Sequence, residues 1–167
     1  MASELQLLSA TADHAFATLE NVVLYNWRRT TTVEGVKEIA RATAQANTST
    51  MANAVKGPRL LAFGTVEEGA SLPPAHIREL MGEMMRVEWG QTTAASALVF
   101  VGEGFRASAV RGVATGLALL ARNAFPHKAF ASAAEGAIWL HGEARGRKIM
   151  SPSVERLEAA MAMLRRS

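Results

Sequence analysis

The chain reads as an α/β protein with one small mixed sheet of about five strands, helices packed on it and an additional C-terminal helix. Three observations predict this. Two strand-like apolar runs come first; strand-like and helix-like runs then alternate to the end of the chain. The 167 residues are 49% hydrophobic and only 20% charged, enough to build one core and too apolar for a disordered chain. The last segment carries apolar residues at helical spacing and follows a basic linker. Residues 1–150 form the expected α/β domain, and 151–167 its terminal helix, docked on the parent domain or on a partner subunit.

Leu5 to Ala10 suits a short edge strand. Val22 to Arg29 is the first strong strand, with Val23, Tyr25 and Trp27 on one parity and Val22, Leu24 and Asn26 on the other. Thr31 to Glu34 fits a capping box and opens a helix whose inward stripe is Val36, Ile39, Ala40 and Thr43. The segment from Asn47 to Gly57 reads as a polar loop or a frayed helix end. Leu60 to Phe63 is a short buried strand. Ser71-Leu72-Pro73-Pro74 then starts a helix, since proline is tolerated in the first turn; Ile77, Leu80, Met81, Met84 and Met85 follow, and Gly90 stops it.

Ala97 to Val101 is the next buried strand, and Phe105 to Arg122 the longest helical pattern. Gly112 and Gly116 lie four apart on it, a spacing for close packing on the sheet or on another helix. Lys128 to Ala131 is a short strand. Ser132 and Glu135 form a second capping box, opening a helix that carries Ala137, Ile138 and Leu140 with Trp139 beside them. Ser151 and Pro152 begin the last helix, which sets Val154, Leu157, Met161 and Leu164 in a narrow seam.

Composition excludes several functions. The absence of cysteine removes disulfides, thiolate metal sites and cysteine nucleophiles. No apolar run approaches the roughly 20 residues of a membrane span, and Leu5 to Leu8 is too short for a secretory core, so a cytoplasmic location is expected. A pI of about 9.8 invites a nucleic-acid reading. The net charge is only +3, however, and the cations are scattered, so no nucleic-acid partner is expected. His14, His76, His127 and His141 lack metal-ligand spacing and read as surface or boundary residues. No metal or cofactor is expected.

The order of elements, together with Phe130-Ala131-Ser132-Ala133-Ala134-Glu135-Gly136-Ala137-Ile138-Trp139-Leu140, resembles the STAS family of bacterial anti-sigma-factor antagonists and sulfate-transporter tails. In that family such a phrase closes the domain: a strand ending in phenylalanine, a serine cap, a glutamate, and a helix ending in Trp-Leu. The resemblance spans about residues 5–146. It implies a non-enzymatic protein-interaction or regulatory module, self-associating in one version. The family's regulatory members carry a phosphorylatable Asp-Ser-Ser/Thr-Gly-like motif before the second helix. Here that place reads Glu67-Glu68-Gly69-Ala70-Ser71-Leu72-Pro73, so only Ser71 remains as a phospho-switch candidate. The partner surface expected for such a module includes Met85 and the seam Val154, Leu157, Met161 and Leu164.

The rival reading is a small anion- or nucleotide-binding protein. Gly102-Glu103-Gly104-Phe105-Arg106-Ala107 fits G-x-G-x-x-A between a strand and a helix, and Gly102, Gly104, Arg106 and Ser108 are its anion contacts. Against a dinucleotide, no acidic residue follows at about 20 residues, and Glu103 puts negative charge inside the loop.

Overall fold

A computed structural model describes residues 4–51, 57, 59–102, 112 and 125–167. It is an α/β structure built on one mixed sheet of six strands in sequential order. These are β1 (Gln6–Ala10), β2 (His14–Leu19), β3 (Val22–Trp27), β4 (Leu60–Val66), β5 (Thr93–Phe100) and β6 (His127–Phe130). β1, β2 and β3 form an antiparallel meander; β3 through β6 run parallel. The helices are α1 (Val33–Met51), α2 (Ala75–Met84), α3 (Ala133–Gly146) and α4 (Val154–Arg166), numbered among the described residues.

The sheet is covered on both faces. Val23, Tyr25, Trp27, Leu60, Ala62, Leu98 and Phe100 face α1 and α2. Val22, Leu24, Leu61, Phe63, Ala97 and Val99 face α3 and α4. Double coverage explains why β3, β4 and β5 are near-continuous apolar runs.

The sixth strand is β2, which the sequence pattern does not announce. His14-Ala15-Phe16-Ala17-Thr18-Leu19 has few β-branched residues and no polar–apolar alternation, yet all but Thr18 are buried. β4 and β5 also run longer than expected, to Val66 and from Thr93.

The helix caps lie within one or two residues of their expected positions. In α1 the Thr32 hydroxyl, not that of Thr31, receives the Gly35 N–H at 3.0 Å. Ser132 caps α3 through the Glu135 N–H at 3.2 Å, as expected. The α4 cap is Ser153, whereas Ser151 is drawn off by a 2.7 Å hydrogen bond to His141. Helix α1 continues through Asn47 to Met51, and residues 52–56 of the expected loop or frayed helix end lie outside the described residues.

Helix α2 starts at Ala75, after the Pro73-Pro74 pair holds the chain extended. It does not stop at Gly90. A π-turn over Met85–Trp89 and a further helical turn over Gly90–Thr92 carry it directly into β5.

The C-terminal seam belongs to the chain's own core. Leu157, Met161 and Leu164 are fully buried, with Val154 packed beside them. Each such side chain contributes roughly 1.5–3 kcal/mol of apolar burial, so α4 is held by the sheet and α3. The expected partner surface on this seam is therefore corrected: the parent domain occupies it. Met85 is 5% exposed and packs into the layer under α1 and α2, where it lines a cavity in place of an open surface. Ile138 is 60% exposed, and Ala137, Leu140 and Ala144 form the inward stripe of α3.

Among the described residues no helix is long and apolar enough to cross a membrane.

Candidate functional site

The helix-covered face bearing α1 and α2 holds a row of polar side chains in an otherwise apolar layer. Tyr25 stands on β3, Ser96 on β5 and His127 on β6. β4 lies between Tyr25 and Ser96, and its residue in register with Tyr25 is Gly64. A Cβ built on Gly64 would meet Tyr25 ring carbons at 2.1 Å. Glycine thus gives the tyrosine ring its passage over β4, a close approach that no side chain permits. Across β4, Ser96 hydrogen-bonds the Tyr25 hydroxyl, and on the other side its Oγ lies 3.0 Å from His127 Nδ1. Ser96 and His127 are register partners on neighbouring strands.

A cavity of about 70 Å³ opens over this row. Tyr25, Trp27, Trp89, Met81, Met84 and Met85 make much of its wall. The π-turn supplies two of them, Met85 and Trp89, from opposite ends of one five-residue element. Such turns recur at functional sites because they re-aim side chains within a helix. Tyr25 and Trp89 meet edge to face at 5.8 Å, and Trp89 leans on Phe125 at 6.2 Å. The Trp89 indole N–H donates to Thr43 Oγ1 at 3.1 Å, and the Thr43 hydroxyl donates to the Ile39 carbonyl. The polar groups around the cavity are largely paired with one another, leaving mostly carbon to face the space.

Electrostatics follow from burial. Desolvation pushes the Tyr25 phenol up to about 12, against a smaller opposing pull from the Ser96 hydrogen bond. Desolvation also pushes His127 down to about 4, so its imidazole is neutral near pH 7. A general base works best with a pKa near the operating pH. These two shifts run the other way, one too weakly basic and one too weakly acidic. Both groups are therefore neutral near pH 7.

The predicted site residues do not converge here. Ser71 lies on the cavity rim, where its N–H and hydroxyl both reach the Arg29 carbonyl, at 2.7 and 3.2 Å. It sits outside α2, which is capped by Pro74, so it lacks the helix-N-terminal position that a phospho-switch at this place implies. Gly102 has φ +113, a turn conformation suited to glycine, and its open side faces the Glu68 side chain at 2.9 Å. A carboxylate there opposes an anion. Gly104, Arg106 and Ser108 lie outside the described residues, as does Gly116; Gly112 is helical and exposed.

His14 departs furthest from its expected surface position. It is buried, stacks on Phe16 at 4.4 Å and pairs with Glu38 at 2.8 Å. Sequence reasoning missed Tyr25, Ser96 and His127 as a group. The available signals were Gly64 and Ser96, a glycine and a serine interrupting buried strands. Among the described residues no group of three potential ligands could hold a metal ion.

No family model, no curated protein and no solved structure matches this chain.

Proposed function

We propose that this chain is a non-enzymatic interaction module of the regulatory, STAS-like type, and that its cavity receives one apolar side chain of a protein partner. The observation that carries the reading is the cavity itself: about 70 Å³, walled by aromatic rings and methionines over a neutral polar row. Small-molecule pockets run to about 300–1,000 Å³, and a cavity of about 150 Å³ accommodates benzene. The space here suits a branched aliphatic group and is too small for a nucleotide. Protein interfaces concentrate their energy in such anchor pockets. Methionine walls adapt to different occupants.

Two further features support the STAS-like type. The sheet runs in sequential parallel order from β3 to β6. The closing phrase folds as a strand ending at Phe130, a Ser132 cap and helix α3.

Filling the cavity tests the reading. Met81→Phe adds bulk at the wall. Quantitative affinity capture with the wild type and with this variant, matched for melting temperature, should show at least one protein lost selectively by the variant. Ile138→Ser, an exposed change on the opposite face, should retain it. Capture that ignores Met81→Phe would contradict the anchor role. A saturable rise in melting temperature with a small apolar compound would replace the protein partner by a ligand.

A further inference from the structure

We propose that His127 is the polar contact at the cavity mouth, and that the partner sets a backbone carbonyl oxygen on its Nε2–H beside the aliphatic anchor. The proposal rests on the reading of the cavity as an anchor pocket and names the chemistry that must accompany the anchor.

Most residues lining the cavity are buried, whereas Val66, Pro73, Met81 and His127 are half-buried and Ser71 is exposed, so these five form the rim. The Ser71 hydroxyl is engaged, donating to the Arg29 carbonyl at 3.2 Å. His127 is engaged on one side only. Its Nδ1 lies 3.0 Å from Ser96 Oγ, and its Nε2 has no hydrogen-bond partner among the described residues. Side-chain polar atoms that are both sealed from water and unpartnered are confined, among the described residues, to His14, Asn21, Asn26, Arg28 and Arg59. Nε2 is not one of them, so it opens to the mouth.

The direction of the hydrogen bonds decides what Nε2 offers. Near pH 7 the imidazole is neutral and carries one ring proton. Ser96 Oγ stands between the Tyr25 hydroxyl and His127 Nδ1 and has a single proton to give. If Nδ1–H donated to Ser96, Ser96 would donate to Tyr25, and the buried phenol proton would be left without an acceptor among the described residues. That is costly inside a protein. The reverse order leaves no buried proton unmet. Tyr25 donates to Ser96, Ser96 donates to Nδ1, and the ring proton stays on Nε2. The mouth therefore presents one neutral N–H donor beside an apolar space. A leucine or valine in an extended segment matches both, with its side chain in the cavity and a main-chain carbonyl at the rim. The neutral ring offers no charge to favour a carboxylate.

Titration of the full chain at pH 7 with N-acetyl-leucine N-methylamide tests the proposal. N-acetyl-glycine N-methylamide, which has the carbonyls and no anchor, is the control. Two-bond ¹⁵N–¹H correlations from the ring carbon protons report the His127 tautomer, and methionine methyl signals report filling. The expected result is an Nε2-protonated ring in the free protein. The leucine amide should then shift Met81 and His127 Nε2 saturably with one midpoint, and the glycine amide should bind at least tenfold more weakly. Tyr25→Phe removes the proton that orders the row. It should raise the Nδ1–H population and weaken the leucine amide about fivefold, the effect of one neutral hydrogen bond. An Nδ1-protonated ring in the free wild type, or saturable Met81 shifts with none at His127 Nε2, would overturn this proposal and leave the anchor reading standing. Absence of any saturable Met81 shift would overturn both.

Discussion

Replacing Gly64 by alanine is a small change with a large expected effect. The new methyl would sit 2.1 Å from two Tyr25 ring carbons and 2.7 Å from a third. Carbon atoms in contact sit about 3.5–4.0 Å apart, so the ring must retreat by roughly 1.5 Å. It has little room to do so. Tyr25 is 5% exposed, packs edge to face on Trp89 and is tethered by its hydroxyl to Ser96. Overpacking of this kind costs about 1–3 kcal/mol, and breaking the tether about 1 kcal/mol more. Alanine recovers roughly 0.5–1 kcal/mol through its lower chain entropy in the unfolded state. The net expectation is a loss of about 1–3.5 kcal/mol. Urea unfolding measures it as a lower midpoint at unchanged slope. Tyr25→Ala in the same chain removes the clash, so the double variant should be less destabilised than the sum of the two single changes by at least about 1 kcal/mol. A loss under about 0.5 kcal/mol, or strict additivity, would refute the argument that Gly64 exists to let Tyr25 pass.

Stability should also depend on pH at both ends of the range. His127 is pushed down to about 4 from 6.5, so below pH 6.5 the unfolded chain binds a proton that the folded chain refuses. Stability therefore falls as pH drops from 6.5 to 4, by at most about 3.5 kcal/mol, and His127→Gln should flatten that limb. Tyr25, pushed up to about 12 from 10, loses its proton first in the unfolded chain, so stability falls again above pH 10 and Tyr25→Phe removes that limb. Leu157→Ala should cost about 2–5 kcal/mol in denaturant unfolding, because its side chain is fully buried under α4. Deleting residues 151–167 should lower the melting temperature without changing the mass seen by light scattering; loss of mass at unchanged melting temperature would return α4 to an assembly role. Ser71→Asp should shift stability by under about 0.5 kcal/mol, since it is exposed and off the helix end.

The parts of the fold legible in sequence were those with local signals. Period-2 alternation marked β3, and Ser132 and Glu135 marked the start of α3. The spacing of Leu157, Met161 and Leu164 marked the face that α4 buries, though not what covers it, because periodicity gives a face and no partner. Strand β2 escaped for a physical reason: alanines between two covered faces carry neither propensity nor alternation. A regular helical repeat puts Met85 at the edge of the stripe, and periodicity does not say how far the core extends over that edge. The site row was illegible for a different reason. Tyr25, Ser96 and His127 come together only through strand register, with Ser96 and His127 31 residues apart in the chain. Only Gly64 hinted at a ring crossing β4.

Methionine-methyl NMR under xenon pressure tests the anchor cavity most directly. The account predicts one saturable xenon site, with shifts confined to Met81, Met84 and Met85, none at Met161 or Met163, and loss of the effect in Met81→Phe. Benzene should produce no such shifts, because about 70 Å³ is too small for it. Unsaturable shifts spread over all the methionines, or saturable benzene binding at Met81, would contradict a preformed cavity sized for one aliphatic side chain.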